Sequence, residues 1–120
     1  MNQLIGLHHR LLITSVTVLF IALTSVAIDW KRRRDLSQIS IGSMAIMWLL
    51  LLSNGIIGVL MAQQSPNLSG LHILYGGLVF GPPLVLWYLQ RGLPISQRAR
   101  FCFFGLVVTA VLIHRIVATG

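Results

Sequence analysis

The chain has 120 residues, of which nine are basic and two acidic, and its mean hydropathy is +0.86. This apolar content is more than a soluble domain of this length can bury, so the sequence excludes a soluble globular protein and predicts a membrane protein. The basic residues are confined to a few places between apolar runs, which excludes a nucleic-acid-binding face. The single cysteine, Cys102, excludes an internal disulfide.

Apolar runs of helix-spanning length predict the elements, because about 20 mostly apolar residues cross about 30 Å of hydrocarbon. In chain order the predicted spans cover residues 11–28, 39–62, 71–89 and 101–117. Their short connections force neighbouring helices to run antiparallel. We therefore predict one transmembrane domain over residues 1–120, an all-α four-helix up-and-down bundle with little mass outside the bilayer.

Basic residues predict how the bundle is oriented. Seven of them lie in the two loops that share one side: Lys31, Arg32, Arg33, Arg34, Arg91, Arg98 and Arg100. Only Arg10 and Arg115 lie on the other side. By the positive-inside rule, both termini are expected to be non-cytoplasmic, as in a multi-pass protein of the bacterial inner membrane. Residues 25–27 resemble the end of a cleavable signal peptide. Translocation of the basic residues that follow would oppose this bias, so we expect a permanent helix.

Small and hydroxylated residues predict where helices touch, because close backbone packing and interhelical hydrogen bonds hold helices together in lipid. Thr14, Thr17 and Thr24 fall on one face of the first span together with Arg10. The second span carries Ser53, Asn54, Gly55 and Gly58, and the third carries Gly77 and Gly81. Pro82 and Pro83 follow, and they predict a kink in the third helix.

Histidines supply the candidate site residues. Following antiparallel helices at about 1.5 Å per residue brings all four histidines to one level on the outer side. His8 and His9 cap the first span with Arg10 and are interpreted as outer interface residues. The candidate cofactor-binding residues are His72, Tyr75, His114 and Arg115.

Three interpretations of this histidine layer stay open. In the first, the residues are ordinary interface side chains with their polar tips in water or among lipid phosphates. Alternatively, His72 and His114 are the metal ligands of a haem or chlorophyll held inside the bundle. The third interpretation is a quinone or anionic-lipid site with all four candidate residues as donors.

The scarcity of carboxylates bears on whether the chain can be a proton-coupled transporter. The sequence has no glutamate, and both aspartates, Asp29 and Asp35, flank the basic loop. The size and layout are similar to those of small multidrug-resistance transporters, but that family depends on a glutamate in its first span. A proton-coupled carrier is therefore not expected, since it needs a titratable group inside the membrane. No catalytic residues are predicted, and the chain is not expected to be an enzyme.

The layout of the four spans, with the segments "LHILYGG" and "HRIVATG", resembles small accessory subunits of bacterial respiratory and photosynthetic electron-transfer complexes. Alternative complex III and the reaction-centre assemblies of filamentous phototrophs are examples. The resemblance implies a partner-bound subunit that stabilises the core of a complex and shapes an outer-side quinone or lipid cavity. Its expected partners are other membrane subunits and lipids, with no nucleic acid. The alternative is a small redox protein that binds haem b or a chlorophyll-type pigment.

Overall fold

The fold is all-helical in the computed structural model, which describes residues 2–64 and 70–119 apart from the side chains of Leu71, Tyr75 and Thr119. Within these ranges there is no strand. The helices in chain order are α1 (Asn2–Lys31), α2 (Gln38–Gln64), α3 (Gly70–Leu78), α4 (Gly81–Leu89) and α5 (Ile95–Thr119), with a short 3-10 turn at Gln90–Gly92 between the last two. The all-α prediction is confirmed.

Four segments are long and apolar enough to cross a membrane. They are Asn2–Lys31, Gln38–Gln64, His72–Gly92 and Ile95–Ala118. Each contains one predicted span, except that the third segment begins one residue after the predicted start at Leu71. The first and fourth segments begin more than one helical turn before the predicted spans. The molecule measures 47 × 21 × 20 Å. Its long dimension matches the roughly 45 Å length of a 30-residue helix, so α1 runs from one end of the molecule to the other.

Two consecutive prolines divide the third segment. Neither Pro82 nor Pro83 has a backbone N–H, so the carbonyls of Leu78 and Val79 lose their usual helical donors. α3 accordingly ends at Leu78, and α4 begins at Gly81. The Phe80 N–H donates to the Gly77 carbonyl at 3.3 Å across this break. The third helix is thus interrupted at the place where the prolines predict a kink.

The core lies around α1 and α5. α1 packs against α2 on one side and α5 on the other, and α5 also packs against α3 and α4. α2 and α4 do not pack along one another. The fully buried part of the core includes Ala22, Val26, Met47, Cys102 and Leu106.

The threonine face predicted to be a helix contact is exposed. Thr14, Thr17 and Thr24 each donate a hydroxyl hydrogen bond to the carbonyl four residues earlier, at 2.8–3.0 Å. Such a bond satisfies the hydroxyl within its own helix, so it needs no partner helix. The buried face of α1 instead carries Ser15, Leu19, Ala22, Val26 and Asp29. That prediction was wrong.

The two basic loops lie at the same end of the molecule, as predicted. Arg98 Nη1, near the start of α5, lies 3.4 Å from Asp35 Oδ2 in the α1–α2 connection. At the opposite end the His8 and His72 rings meet. We call these the Asp29 end and the His8 end.

Candidate functional site

Two histidines from different helices meet at the His8 end. The ring centres of His8, on α1, and His72, on α3, are 6.4 Å apart, and the ring planes are inclined by 59°. α1 and α3 do not pack along one another, because each packs instead against α5. The two imidazoles therefore bring together helices that do not otherwise pack along one another.

The second helix adds an amide to this pair. Asn54 is buried, with 7% of its surface exposed, and both its side chain and its backbone lie within hydrogen-bonding reach of His8. Gly58, one turn further along α2, lies against His8: a Cβ added there would be 3.8 Å from His8 Cε1. His8 Nδ1 and Asn54 Oδ1 are both buried, and neither makes a hydrogen bond of ordinary distance and angle among the described residues, so the contact between these two residues is longer or more bent than a normal hydrogen bond.

The last helix orients the second histidine. His72 Nδ1 lies 2.9 Å from the backbone carbonyl oxygen of Ile116 on α5. A carbonyl can only accept, so Nδ1 carries the proton and donates it, which leaves the Nε2 lone pair of a neutral His72 available. α1, α2, α3 and α5 thus each contribute one polar group. We call His8, Asn54, His72 and the Ile116 carbonyl the histidine centre.

The sequence pairs His72 with His114, whereas the contacts in the structure pair His72 with His8. Ile116 faces His72, and His114 precedes Ile116 by two residues. At about 100° per residue, His114 lies about 200° around α5 from the side that meets His72, and its side chain is exposed. Ligation of a single haem by His72 and His114 stays a prediction, and it would require one of these helices to rotate.

The other predicted site residues lie around the histidine centre. His9 and Arg10 are exposed, unlike the half-buried His8 beside them. Arg115 is also exposed, and it takes part in an interaction within the chain. Tyr75 belongs to α3, but its side chain lies outside the described residues. Within those residues, no group of three or more His, Cys, Asp or Glu side chains comes together to hold a metal ion.

A second polar cluster, at the Asp29 end, was not predicted as a unit. Asp29 is fully buried. Its carboxylate accepts hydrogen bonds from Arg34 Nε at 2.7 Å, from the Ser37 N–H at 3.0 Å and from the Ser40 hydroxyl. Ser25 Oγ lies 2.7 Å from Ser40 Oγ and extends this network back to α1. We call these five residues the Asp29 cluster. Because every one of these donors belongs to the α1–α2 hairpin, the cluster joins the two helices.

An apolar groove separates α2 from α4. Its volume is about 430 Å³, and it lies towards the Asp29 end. α2 lines one wall, including Ala45 and Trp48, while α4 lines the other, including Leu84 and Trp87. Trp48 Nε1 is buried and has no hydrogen-bond partner in the described part of the chain. Arg91 stacks on the Trp87 ring at 3.7 Å, close to the groove.

The sequence carries some signals for these features. Ser25 and Asp29 are four residues apart on one helix, and Ser37 and Ser40 have the three-residue spacing of a helix cap, so the Asp29 cluster could have been recognised. Asn54 is a lone amide within an apolar span. The groove has no local signal, because it depends on how α2 and α4 are placed around α1 and α5.

The chain matches no known protein-family profile, no curated protein and no solved structure.

Proposed function

We propose that this chain is a non-catalytic accessory subunit of a larger electron-transfer complex in the bacterial inner membrane. It would stabilise the core of that complex by packing against the transmembrane helices of other subunits. The observation that carries the proposal is the open groove between α2 and α4. In this proposal an apolar helix of a partner subunit occupies the groove.

The lining of the groove supports a transmembrane helix as its occupant. Its residues are almost all apolar, so they fit the side chains of another membrane helix. Beside the groove lining, α4 begins with one exposed glycine: Gly81 lies one turn before Leu84, and a Cβ added at Gly81 would have no neighbour within 4 Å. Glycines let helix backbones approach closely in a membrane. A glycine without neighbours inside this chain leaves room for a helix from another chain.

The charge distribution supports the membrane placement. The seven basic residues assigned to the cytoplasmic side lie in the segments around the Asp29 end, which corresponds to the cytoplasmic face in this proposal. The His8 end and both termini then face the opposite side. In this orientation the groove opens in the cytoplasmic half of the bundle. It therefore does not coincide with the quinone or lipid cavity expected at the outer side. We therefore assign the groove to a partner helix.

Native extraction tests the proposal. Membranes of the source organism are solubilised in mild detergent, and the size of the assembly that contains this chain is measured by native electrophoresis. We expect a large assembly with integral membrane subunits and a redox-active reduced-minus-oxidised spectrum. Recovery of the chain only as a monomer or small homo-oligomer would contradict the proposal.

A pair of variants ties the result to the groove. Ala45→Phe fills the groove, and we expect it to release the chain from the assembly. Val59→Phe adds bulk at an exposed position on the same helix, outside the groove lining, and should leave the chain in the assembly. Equal behaviour of the two variants would rule out the groove as the contact.

A further inference from the structure

We propose that the histidine centre binds one first-row transition-metal ion, with His8 and His72 as imidazole ligands and the Asn54 amide oxygen beside them. This inference goes beyond the accessory role and does not depend on it. It concerns the end of the bundle opposite the groove, and four helices converge there. Facing helices of a bundle commonly build such sites from inward-pointing side chains.

The separation of the rings fits an ion between them. An ion bonded to one nitrogen of each ring at about 2.0–2.1 Å, with each nitrogen about 1.1 Å from its ring centre, holds two opposed rings about 6.3 Å apart. The observed distance between the ring centres of His8 and His72 is 6.4 Å. A tetrahedral arrangement brings the rings roughly 1 Å closer, which is a small adjustment for two side chains.

The hydrogen bond of His72 prepares it as a ligand. Because Nδ1–H donates to the Ile116 carbonyl at 2.9 Å, Nε2 is the nitrogen with a free lone pair. Metal-binding histidines usually make such a second bond to a backbone carbonyl or carboxylate, which orients the ring and holds the tautomer. The ring is thus held in the form that a metal ion requires.

Unsatisfied buried atoms support the same assignment. His8 Nδ1 and Asn54 Oδ1 are buried in adjacent side chains, and neither makes a hydrogen bond of ordinary geometry among the described residues. Buried polar atoms in folded proteins nearly always have a partner. A neutral imidazole nitrogen and an amide oxygen can both donate a lone pair to a cation, so one ion could satisfy both atoms.

The ligand set selects the class of ion. Imidazole suits Zn²⁺, Cu²⁺ and Ni²⁺, whereas Mg²⁺ and Ca²⁺ prefer carboxylate and other oxygen ligands. Both acidic residues of the chain lie in or beside the loop at the other end. The centre therefore has no carboxylate to offer a hard cation, and an imidazole-preferring ion is expected.

Zinc binding to the purified full chain tests the proposal. The protein is stripped with a chelator in detergent, and Zn²⁺ affinity is measured by competition with a chromophoric chelator. We expect one ion per chain. His8→Ala and His72→Ala should each weaken binding by at least about 100-fold, and Asn54→Ala by about 10-fold. His9→Ala and His114→Ala remove exposed histidines near the same end and should leave the affinity unchanged.

Two results would overturn the assignment. One is a wild-type chain that binds no Zn²⁺ stoichiometrically, and the other is an equal loss in the His9→Ala and His114→Ala controls. Circular dichroism of every variant checks its helical content. For a variant that fails to fold, X-ray absorption of the zinc-loaded wild type decides, because two imidazole nitrogens at about 2.0–2.1 Å are expected.

A haem titration separates this proposal from the haem alternative. We expect added haemin to give no Soret change that depends on both His8 and His72. Such a dependence, together with absent zinc binding, would overturn the ion site in favour of haem ligation. Native extraction of the complex reports on the accessory role separately, so either proposal can fail alone.

Discussion

The carboxylate of Asp29 accepts a hydrogen bond from the backbone N–H of Ser37 at 3.0 Å. Ser37 precedes the first residue of α2, and its hydroxyl oxygen accepts the Ser40 N–H at 3.3 Å. In a capping box, the residue at the third helical position returns a bond to the N–H of the capping residue. Here Asp29, at the end of α1, supplies that second bond. The end of one helix therefore caps the start of the next.

Replacement of Asp29 by asparagine should destabilise the hairpin between α1 and α2. The amide keeps the size of the side chain but removes the charge that accepts bonds from Arg34, Ser37 and Ser40. Hydrogen bonds to charged groups contribute about 1.5–3 kcal/mol each, so we expect the free energy of unfolding to fall by about 2–4 kcal/mol. The change in the free energy of unfolding is measured in mixed micelles by titration with sodium dodecyl sulfate, with circular dichroism as the readout.

Asp35→Asn is the matched control. The Asp35 side chain is 44% exposed, and its contact with Arg98 is long, at 3.4 Å. Exposed ion pairs contribute about 0–1 kcal/mol, so we expect a change of less than about 1 kcal/mol. Equal effects of the two asparagine variants would contradict the assignment of Asp29 as the carboxylate that joins the helices.

Arg33 occupies a position that favours glycine. Its φ is +52°, and the Arg33 and Arg34 N–H groups donate back to the carbonyls of Trp30 and Asp29 at 3.0 and 3.1 Å. This is the Schellman arrangement, in which the left-handed residue is usually glycine. Left-handed backbone costs an ordinary residue about 1–2 kcal/mol, so Arg33→Gly should raise the free energy of unfolding by up to about 1 kcal/mol.

Arg32→Gly provides the comparison for that variant. Arg32 does not have positive φ, so glycine there only adds freedom to the unfolded chain and should destabilise by about 0.5–1 kcal/mol. The same titration in mixed micelles compares both variants. A stability loss of the same size for Arg33→Gly would contradict the strained turn.

Gly105 on α5 packs tightly against Leu86 on α4. A Cβ at this position would overlap the side chain of Leu86 down to its branching carbon. Overpacking of this kind typically costs about 1–3 kcal/mol, which we expect for Gly105→Ala. In a Leu86→Ala background the extra cost should largely disappear, because the overlapping atoms are absent. Gly42→Ala, where a Cβ has no neighbour within 4 Å, should not destabilise the chain.

Local chemistry explains why much of the fold could be predicted. Apolar length determines which segments can span a membrane, and the missing N–H groups of Pro82 and Pro83 determine where the third segment breaks. Both properties depend only on the local sequence and not on which helices pack against one another. The shared end of the basic loops follows from the same counting of spans, and the contact between Asp35 and Arg98 confirms it.

The candidate site depends on rotation of the helices about their axes, which the chain pattern does not reveal. The Thr14 face is polar enough to resemble a contact, yet the packing of Ala22 and Val26 turns that face outwards. The same kind of rotation directs the Ile116 carbonyl to His72 and leaves His114 exposed. Heights along the bundle were therefore sufficient to find the histidine layer but not to pair its members.

Topology has a direct test with single cysteines. Cys102 is only 1% exposed, and Cys102→Ala supplies a background without it. In this background, Gln64→Cys should react with a membrane-impermeant maleimide on intact cells, whereas Arg33→Cys should react only after the membranes are opened. Both positions are exposed. Labelling of Arg33→Cys alone on intact cells would reverse the proposed orientation.

Photo-crosslinking from the groove tests the accessory role most directly. A photoreactive amino acid is placed at Leu84, which lines the groove, or at Val111, an exposed position on α5. In native membranes, Leu84 is predicted to crosslink one integral membrane subunit of an electron-transfer complex, and the Ala45→Phe substitution should abolish that product. Val111 should not give the same product. Crosslinks from Leu84 to lipid alone, or a protein product that Ala45→Phe leaves unchanged, would contradict the proposal that a partner helix occupies the groove.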